Sequence, residues 1–165
     1  MKIEKFRYLF ALLRSALVGA KLSESELEQF SDEQIPELSE MAQKHDVGHL
    51  LAYGLKLNGL ITREEAQKSI YKAVIRCERI NYELEQVCAA LEKAQIQFLP
   101  LKGSVLRKYY PEEWMRTSCD IDVLVHEYEL DKAMDFLVTE CGYIYDKKGS
   151  HDISCSLGNP HCQAV

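Results

Sequence analysis

Residues 96 to 125 read IQFLPLKGSVLRKYYPEEWMRTSCDIDVLV, and two apolar segments in it have the pattern of β-strands. It opens with a short apolar strand, Ile96–Leu99, which Pro100 is expected to stop because proline lacks the N–H that a strand ladder needs. A helix is predicted over Lys102–Tyr109, and a second apolar strand over Asp120–Val125. Strand, helix and strand in close succession indicate a small sheet with flanking helices.

The chain after this stretch continues the alternation of helix and strand. A helix is predicted over Glu129–Cys141, closed by Gly142, because glycine readily adopts the left-handed conformation that ends helices. Short strands are predicted at Tyr143–Tyr145 and near Asp152–Leu157, with a turn at Lys147–Gly149 between them. We therefore expect a core over residues 95–165 that contains a small mixed β-sheet.

The chain before this stretch has the spacing of helices. Apolar residues recur every three or four positions over residues 1–20, which predicts an amphipathic helix. Arg7 and Arg14 interrupt the apolar run, so a signal peptide is the weaker interpretation. Capping-box spacing at Ser23 and at Thr62 marks two further helix starts. The sequence therefore predicts an α+β protein with a helical region over residues 1–94.

Composition limits the classes of function. The chain has 165 residues and a net charge of −6, so a general nucleic-acid binder, which needs a basic surface, is not expected. Six cysteines without a C-x-x-C pair favour reduced thiols over a disulfide framework. No apolar run is long enough to span a bilayer, so we expect a cytoplasmic protein that does not bind membranes.

Two acidic residues at the start of the second predicted strand are the sharpest chemical signal. Residues i and i+2 of a strand point to the same face, so Asp120 and Asp122 are expected side by side. Two adjacent carboxylates repel each other unless a cation neutralises them, and Mg²⁺ prefers such hard oxygen ligands. A solvated acidic strand edge explains the pair equally simply, because D-x-D alone is a weak motif.

A second signal lies between the first strand and its helix. Gly103 permits close backbone approach, and Ser104 with the helix start offers donors to phosphate. The pattern is not a P-loop, and by itself a simple turn with Ser104 as helix cap is sufficient.

Together, the two signals resemble a known family. Leu101-Lys102-Gly103, Tyr110-Pro111, Arg116 and Asp120-Ile121-Asp122 are similar to motifs of an uncharacterised bacterial nucleotidyltransferase family within the polymerase-beta-type superfamily. This resemblance implies transfer of NMP from an NTP, such as ATP, to an unknown small-molecule, protein or RNA acceptor. It implies that Asp120 and Asp122 bind one or two Mg²⁺ ions.

The resemblance also assigns the nucleotide-binding residues. Gly103 and Ser104 would hold the triphosphate, and Lys102 and Arg116 would neutralise its charge. For Lys102 and Arg116, a solvated helix start and a surface salt bridge are the competing interpretations.

One feature of the family pattern is not evident. Such enzymes usually carry a third carboxylate on a later strand, and we expect either Asp152 to replace it or the chain to lack part of the catalytic apparatus. The alternative function is therefore a non-catalytic nucleotide-binding or protein-interaction module that keeps the fold. Asp131 and Asp135 fall on the predicted helix, where a solvated face explains them. Two histidines, His45 and His49, are spaced like a zinc pair but have no evident third ligand.

Overall fold

A computed structural model describes residues 2–146 and 154–157 of the chain. They form two compact units: Met1–Arg79 with Val105–Cys119, and Ile80–Ser104 with Asp120–Val165. Among the described residues, every helix is too short or too polar to cross a lipid bilayer. The helices and strands are α1 Lys2–Val18, α2 Glu24–Leu27, α3 Ile35–Lys44, α4 Gly48–Leu57, α5 Arg63–Lys93, β1 Phe98–Leu101, α6 Gly103–Leu106, β2 Asp122–Val125, α7 Leu130–Cys141, β3 Tyr143–Asp146 and β4 Ser154–Leu157.

The first unit is built on helices α1, α3 and α4. Their apolar faces form one core of fully buried side chains, because each helix places an apolar residue inward about once per turn. Gly54 lets α1 and α4 approach closely, since a Cβ at this position would lie 2.4 Å from the carbonyl oxygen of Leu12. The core comprises Leu9, Leu12, Leu38, Ala42, Leu51 and Leu55.

Both predicted capping boxes are confirmed. The Ser23 hydroxyl accepts from the backbone N–H of Glu26, whose carboxylate accepts from the N–H of Ser23. Thr62 and Glu65 make the same reciprocal pair, at 3.2 and 2.7 Å, directly before α5. These pairs satisfy N–H groups that a helix start leaves without partners, which is why the spacing predicted both starts.

The second unit has its core between the end of α5, the β1–β2 pair and α7. Val87, Leu91, Ala94, Ile96 and Ala133 are buried there, and partly buried strand residues pack against them. The strand residues in contact with this core are Phe98, Val123, Val125 and Tyr143.

The strands pair only antiparallel among the described residues. β1 pairs with β2 and β3 with β4, as two separate two-stranded sheets. The predicted α+β class is confirmed, whereas the mixture of parallel and antiparallel pairing expected in one sheet is not found in this part of the chain. Antiparallel pairing of two strands needs no crossover connection.

Strand β1 differs from its prediction at both ends. It includes Pro100, which lies opposite Val123 in the ladder. Proline is tolerated because each strand of a two-stranded sheet has an edge that needs no N–H donor. Ile96 lies outside the strand because its N–H binds the carbonyl of Leu91, and Gln95 adopts a left-handed φ of 55°. These contacts end helix α5 in a Schellman motif.

The prediction of two domains with a boundary between residues 94 and 95 stays a prediction. The boundary falls between the end of α5 and the start of β1, where helices give way to strands. The predicted turn at Lys147–Gly149 and Asp152 lie outside the described residues.

Candidate functional site

The pairing of β1 with β2 brings the two predicted motifs together. Leu101, the last residue of β1, lies opposite Asp122, the first residue of β2. Lys102 follows directly, and its Nζ donates to Asp122 Oδ1 at 2.9 Å. The register of the β1–β2 ladder therefore places Lys102, the Gly-Ser turn and Asp122 at the same end of the sheet.

Lys102 has an unusual backbone conformation. Its φ is 48°, in the left-handed region that side chains with a Cβ rarely adopt. Lys102 forms the turn between β1 and α6. The Lys102 side chain is 72% exposed and the Asp122 side chain 32%, so the contact lies at the surface.

The Gly-Ser turn is buried directly after Lys102. Gly103 and Ser104 are both buried in the first turn of α6. Ser104 is 4% exposed, and its Oγ has no hydrogen-bond partner among the residues that the structure describes. A buried hydroxyl without a partner is uncommon because it loses its hydrogen bonds to water without replacement.

Asp120 is placed differently from its prediction. Strand β2 begins at Asp122, so Asp120 lies in the segment before the strand, and its side chain is exposed. The prediction that both carboxylates lie on the strand is wrong for Asp120. Alternation along a strand therefore does not fix the direction of the Asp120 carboxylate relative to Asp122.

Asp120 and Asp122 are the two carboxylates that the sequence predicts as ligands of a metal ion, and the strand register places Asp122 beside the Gly-Ser turn. Asp122 Oδ1 already accepts a cation, the ammonium of Lys102, so a cation is electrostatically compatible with this position. Among the described residues, no group of three or more His, Cys, Asp or Glu side chains could hold a metal. Mg²⁺ fits two carboxylates, because it commonly retains water and binds substrate phosphates at its other positions.

Among the residues that the structure describes, the candidates for a third carboxylate form no metal-binding group of three acidic residues. Asp131 and Asp135 are exposed on helix α7, in accordance with the expected solvated face. Asp146 ends strand β3. Asp152 lies outside the described residues, so its predicted role stays open to experiment.

Arg116 belongs to the first unit. It follows the short 3₁₀-helix Glu113–Met115, and its backbone N–H donates to the carbonyl of Glu113 at 3.2 Å. Its predicted contact with phosphate stays a prediction.

A buried arginine was not predicted from the sequence. Arg107 is 2% exposed, and its guanidinium donates to the Ser118 hydroxyl at 2.7 Å beside the Cys77 thiol. Burial, outweighing the effect of Arg107, raises the pKa of the Cys77 thiol. The sequence shows only that a basic residue follows soon after the Gly-Ser turn. The burial of Arg107 could not be predicted, because it depends on contacts with residues far away in the sequence.

A second arginine fixes the segment that precedes Asp120. Arg76 donates to Asp46 at 3.0 Å, to the carbonyl of Ser118 at 3.2 Å and to the Cys119 sulfur at 2.6 Å. Thr117 also donates to the Asp46 carboxylate at 2.9 Å. This network of the first unit was not predicted, because its members are far apart in sequence.

The histidine pair does not form a metal site. His49 is buried, and its Nε2 donates to the carbonyl of Met115 at 3.2 Å, whereas His45 is exposed. Burial lowers the pKa of His49, because a buried imidazolium loses hydration. Trp114 contacts His49 and Tyr53 edge-on, so it packs within the first unit.

The cysteines agree with the expectation of reduced thiols where the structure describes them. Cys77, Cys88, Cys119 and Cys141 are all free.

Comparison with known protein families gives a match over residues 31–160, to the model of an uncharacterised nucleotidyltransferase family. The chain belongs to this family. The match covers the Gly-Ser turn, the acidic strand and most of the helices of the first unit, a longer part of the chain than the motifs alone. No curated protein and no solved structure matches the chain significantly.

Proposed function

We propose that this chain is a Mg²⁺-dependent nucleotidyltransferase that transfers NMP from an NTP to an acceptor. The observation that carries the proposal is the β1–β2 register, which pairs Leu101 with Asp122 and so joins the Gly-Ser turn to the acidic strand. Membership of a nucleotidyltransferase family supports the class of reaction. The acceptor can be a small molecule, a protein or an RNA.

The chain's own residues have separate tasks in this proposal. The exposed Asp120 and the half-buried Asp122 would bind one or two Mg²⁺ ions. Mg²⁺ supplies charge neutralisation of the phosphates and alignment of the acceptor oxygen for in-line displacement.

The triphosphate is assigned to the neighbouring turn. Ser104 Oγ and the backbone around Gly103 donate hydrogen bonds to phosphate, which gives the buried hydroxyl a partner. Lys102 and Arg116 supply positive charge. The acceptor oxygen forms a bond to the α-phosphorus, the bond to the bridging oxygen breaks, and pyrophosphate leaves while the acceptor proton passes to solvent.

Calorimetry tests this proposal directly. We expect the purified chain to bind at least one of the four NTPs in the presence of Mg²⁺, and Asp122→Asn to weaken that binding by tenfold or more. Asp131→Asn is the matched control, because this aspartate is exposed on α7. Absence of binding for every NTP contradicts the proposal.

The non-catalytic alternative rests on one observation. Among the described residues, only Asp120 and Asp122 are assigned to the candidate site, and no group of three or more acidic, His or Cys side chains could hold a metal. A chain of this kind binds nucleotide without turnover. Release of pyrophosphate from the wild type, lost in Asp120→Asn, excludes the alternative. Tight NTP binding without pyrophosphate release, across a panel of acceptors, supports it.

A further inference from the structure

The ion pair between Lys102 and Asp122 joins the proposed phosphate-binding turn to a proposed metal ligand. Nζ of Lys102 lies 2.9 Å from Asp122 Oδ1, so the ammonium occupies an oxygen that a metal would coordinate. We propose that Lys102 competes with the divalent cation: it binds Asp122 in the metal-free protein and leaves when the cation binds. This inference rests on the proposed function, because it needs Asp122 to be a metal ligand.

Electrostatics makes the two contacts mutually unfavourable. A divalent ion on Asp122 would lie only a few ångströms from the ammonium, and like charges at that separation repel even at the protein surface. The same ammonium is favourable without the metal, because it neutralises the Asp122 carboxylate. Lys102 therefore stabilises the metal-free state selectively.

The backbone of Lys102 supports a role for its side chain. A φ of 48° suits glycine, and a residue with a Cβ is strained there. A lysine at such a position keeps its ammonium beside Asp122 despite the strain, and strained residues cluster at functional sites. Its side chain is 72% exposed, so little buried surface is lost when its ammonium leaves Asp122.

The displaced ammonium is next to the Gly-Ser turn in sequence. Lys102 immediately precedes Gly103, so its ammonium becomes available to the phosphates of a nucleotide bound at that turn. Nucleotide then draws Lys102 away from Asp122 and strengthens metal binding, and by linkage the metal strengthens nucleotide binding to the same extent.

Titration with Mn²⁺ alone, followed by the electron paramagnetic resonance of the free ion, tests the competition. We expect Lys102→Gln to bind Mn²⁺ about fivefold more tightly than the wild type, because one repelling charge is removed. The difference should shrink at high ionic strength, because salt screens exposed charges. Lys108→Gln is the matched control, since this lysine is exposed on the short helix Arg107–Tyr109 and should leave the affinity unchanged.

A second variant protects the test against misfolding. Lys102→Gly removes the ammonium and relieves the strained φ, so we expect it to keep or raise the melting temperature and to bind Mn²⁺ as tightly as Lys102→Gln. In both variants, adding NTP should enhance Mn²⁺ affinity less than it does in the wild type.

The outcomes separate this inference from the proposed function. If the wild type binds Mn²⁺, Asp122→Asn weakens that binding, and both Lys102 variants bind like the wild type, the competition is overturned and the metal site stands. If neither the wild type nor any Lys102 variant binds Mn²⁺, the proposed metal site fails and the competition fails with it.

Discussion

Arg107 is the largest fully buried side chain among the described residues, and it carries a permanent charge. Its guanidinium donates to the Ser118 hydroxyl at 2.7 Å. A buried charge that loses a hydrogen-bond partner keeps its desolvation cost without compensation. We therefore expect Ser118→Ala to lower the free energy of unfolding by about 1–2 kcal/mol, measured by urea denaturation.

A double-mutant cycle shows whether this cost belongs to the hydrogen bond. Arg107→Met keeps a long side chain in the same space and removes the charge, so Ser118→Ala should cost almost nothing in that background. An equal cost of Ser118→Ala with and without Arg107 contradicts the interpretation.

His49 makes the stability of the fold depend on pH. Burial lowers its pKa in the folded state, so the unfolded chain binds this proton more tightly than the folded chain. Its contribution to stability is complete above the ordinary histidine pKa of about 6.5 and is lost as pH falls through the lower folded pKa. We expect the urea midpoint to fall on acidification below about pH 6.5.

Replacement of each histidine isolates this effect. His49→Gln keeps a donor for the carbonyl of Met115 but cannot titrate, so the fall in the urea midpoint should become shallower. His45→Gln, at an exposed position, should retain the wild-type pH dependence. Identical profiles for His49→Gln and wild type would refute the assignment.

At the scale of elements, the contact between α1 and α4 depends on one glycine. A Cβ at Gly54 would lie 2.4 Å from the Leu12 carbonyl oxygen, a backbone atom that cannot rotate away. Gly54→Ala should therefore separate the two helices and destabilise the protein by about 1–3 kcal/mol, measured by thermal and urea denaturation.

Gly48 provides the matched comparison in the same helix. A Cβ there would meet the Cγ of Gln43 at 3.5 Å, which is ordinary van der Waals contact. Gly48→Ala should stabilise the protein by up to about 1 kcal/mol, because alanine favours helix. If both alanines change the stability equally, the close approach at Gly54 is not the cause.

Elements were predictable from sequence where their signals are local. The capping boxes at Ser23 and Thr62 and the left-handed Gly142 mark helix ends through contacts within a few residues. Strand ends were less predictable, because they depend on pairing between distant segments. Asp120 was assigned to a strand on apolar pattern alone, but the ladder with β1 begins at Asp122.

The residues of the candidate site could be named from the sequence, but the contacts between them could not. The Gly-Ser turn and the D-x-D motif are visible in the sequence, and their proximity follows from the register of β1 and β2. The ion pair of Lys102 with Asp122 depends on that register and on a left-handed φ at a lysine, for which the sequence has no signal.

At the scale of the whole molecule, acidic charge and phosphate binding must coexist. The net charge of −6 disfavours broad attraction of polyanions, so affinity for a triphosphate has to come from local donors and a bound cation. In the proposed site these include Ser104, Lys102 and the metal held by Asp120 and Asp122. Nucleotide without a divalent cation should therefore bind much more weakly than the nucleotide–metal complex.

This dependence should be visible in the thermal stability of the full chain. A ligand that binds only the folded state at a hundred times its Kd stabilises that state by about 2.7 kcal/mol. For a chain of this length, that corresponds to an increase in Tm of about 5–10 °C. We expect this increase with Mg²⁺ and a cognate NTP together, and little increase with either alone.

Two aspartate variants locate the origin of that increase. Asp122→Asn should remove most of it, because the variant loses a metal ligand, whereas Asp131→Asn on the exposed face of α7 should keep it. A full increase in Asp122→Asn would mean that nucleotide binds elsewhere. The increase in Tm comes from ligand that binds the folded state. The difference in this increase between Asp122→Asn and Asp131→Asn therefore tests the proposed site in the intact chain.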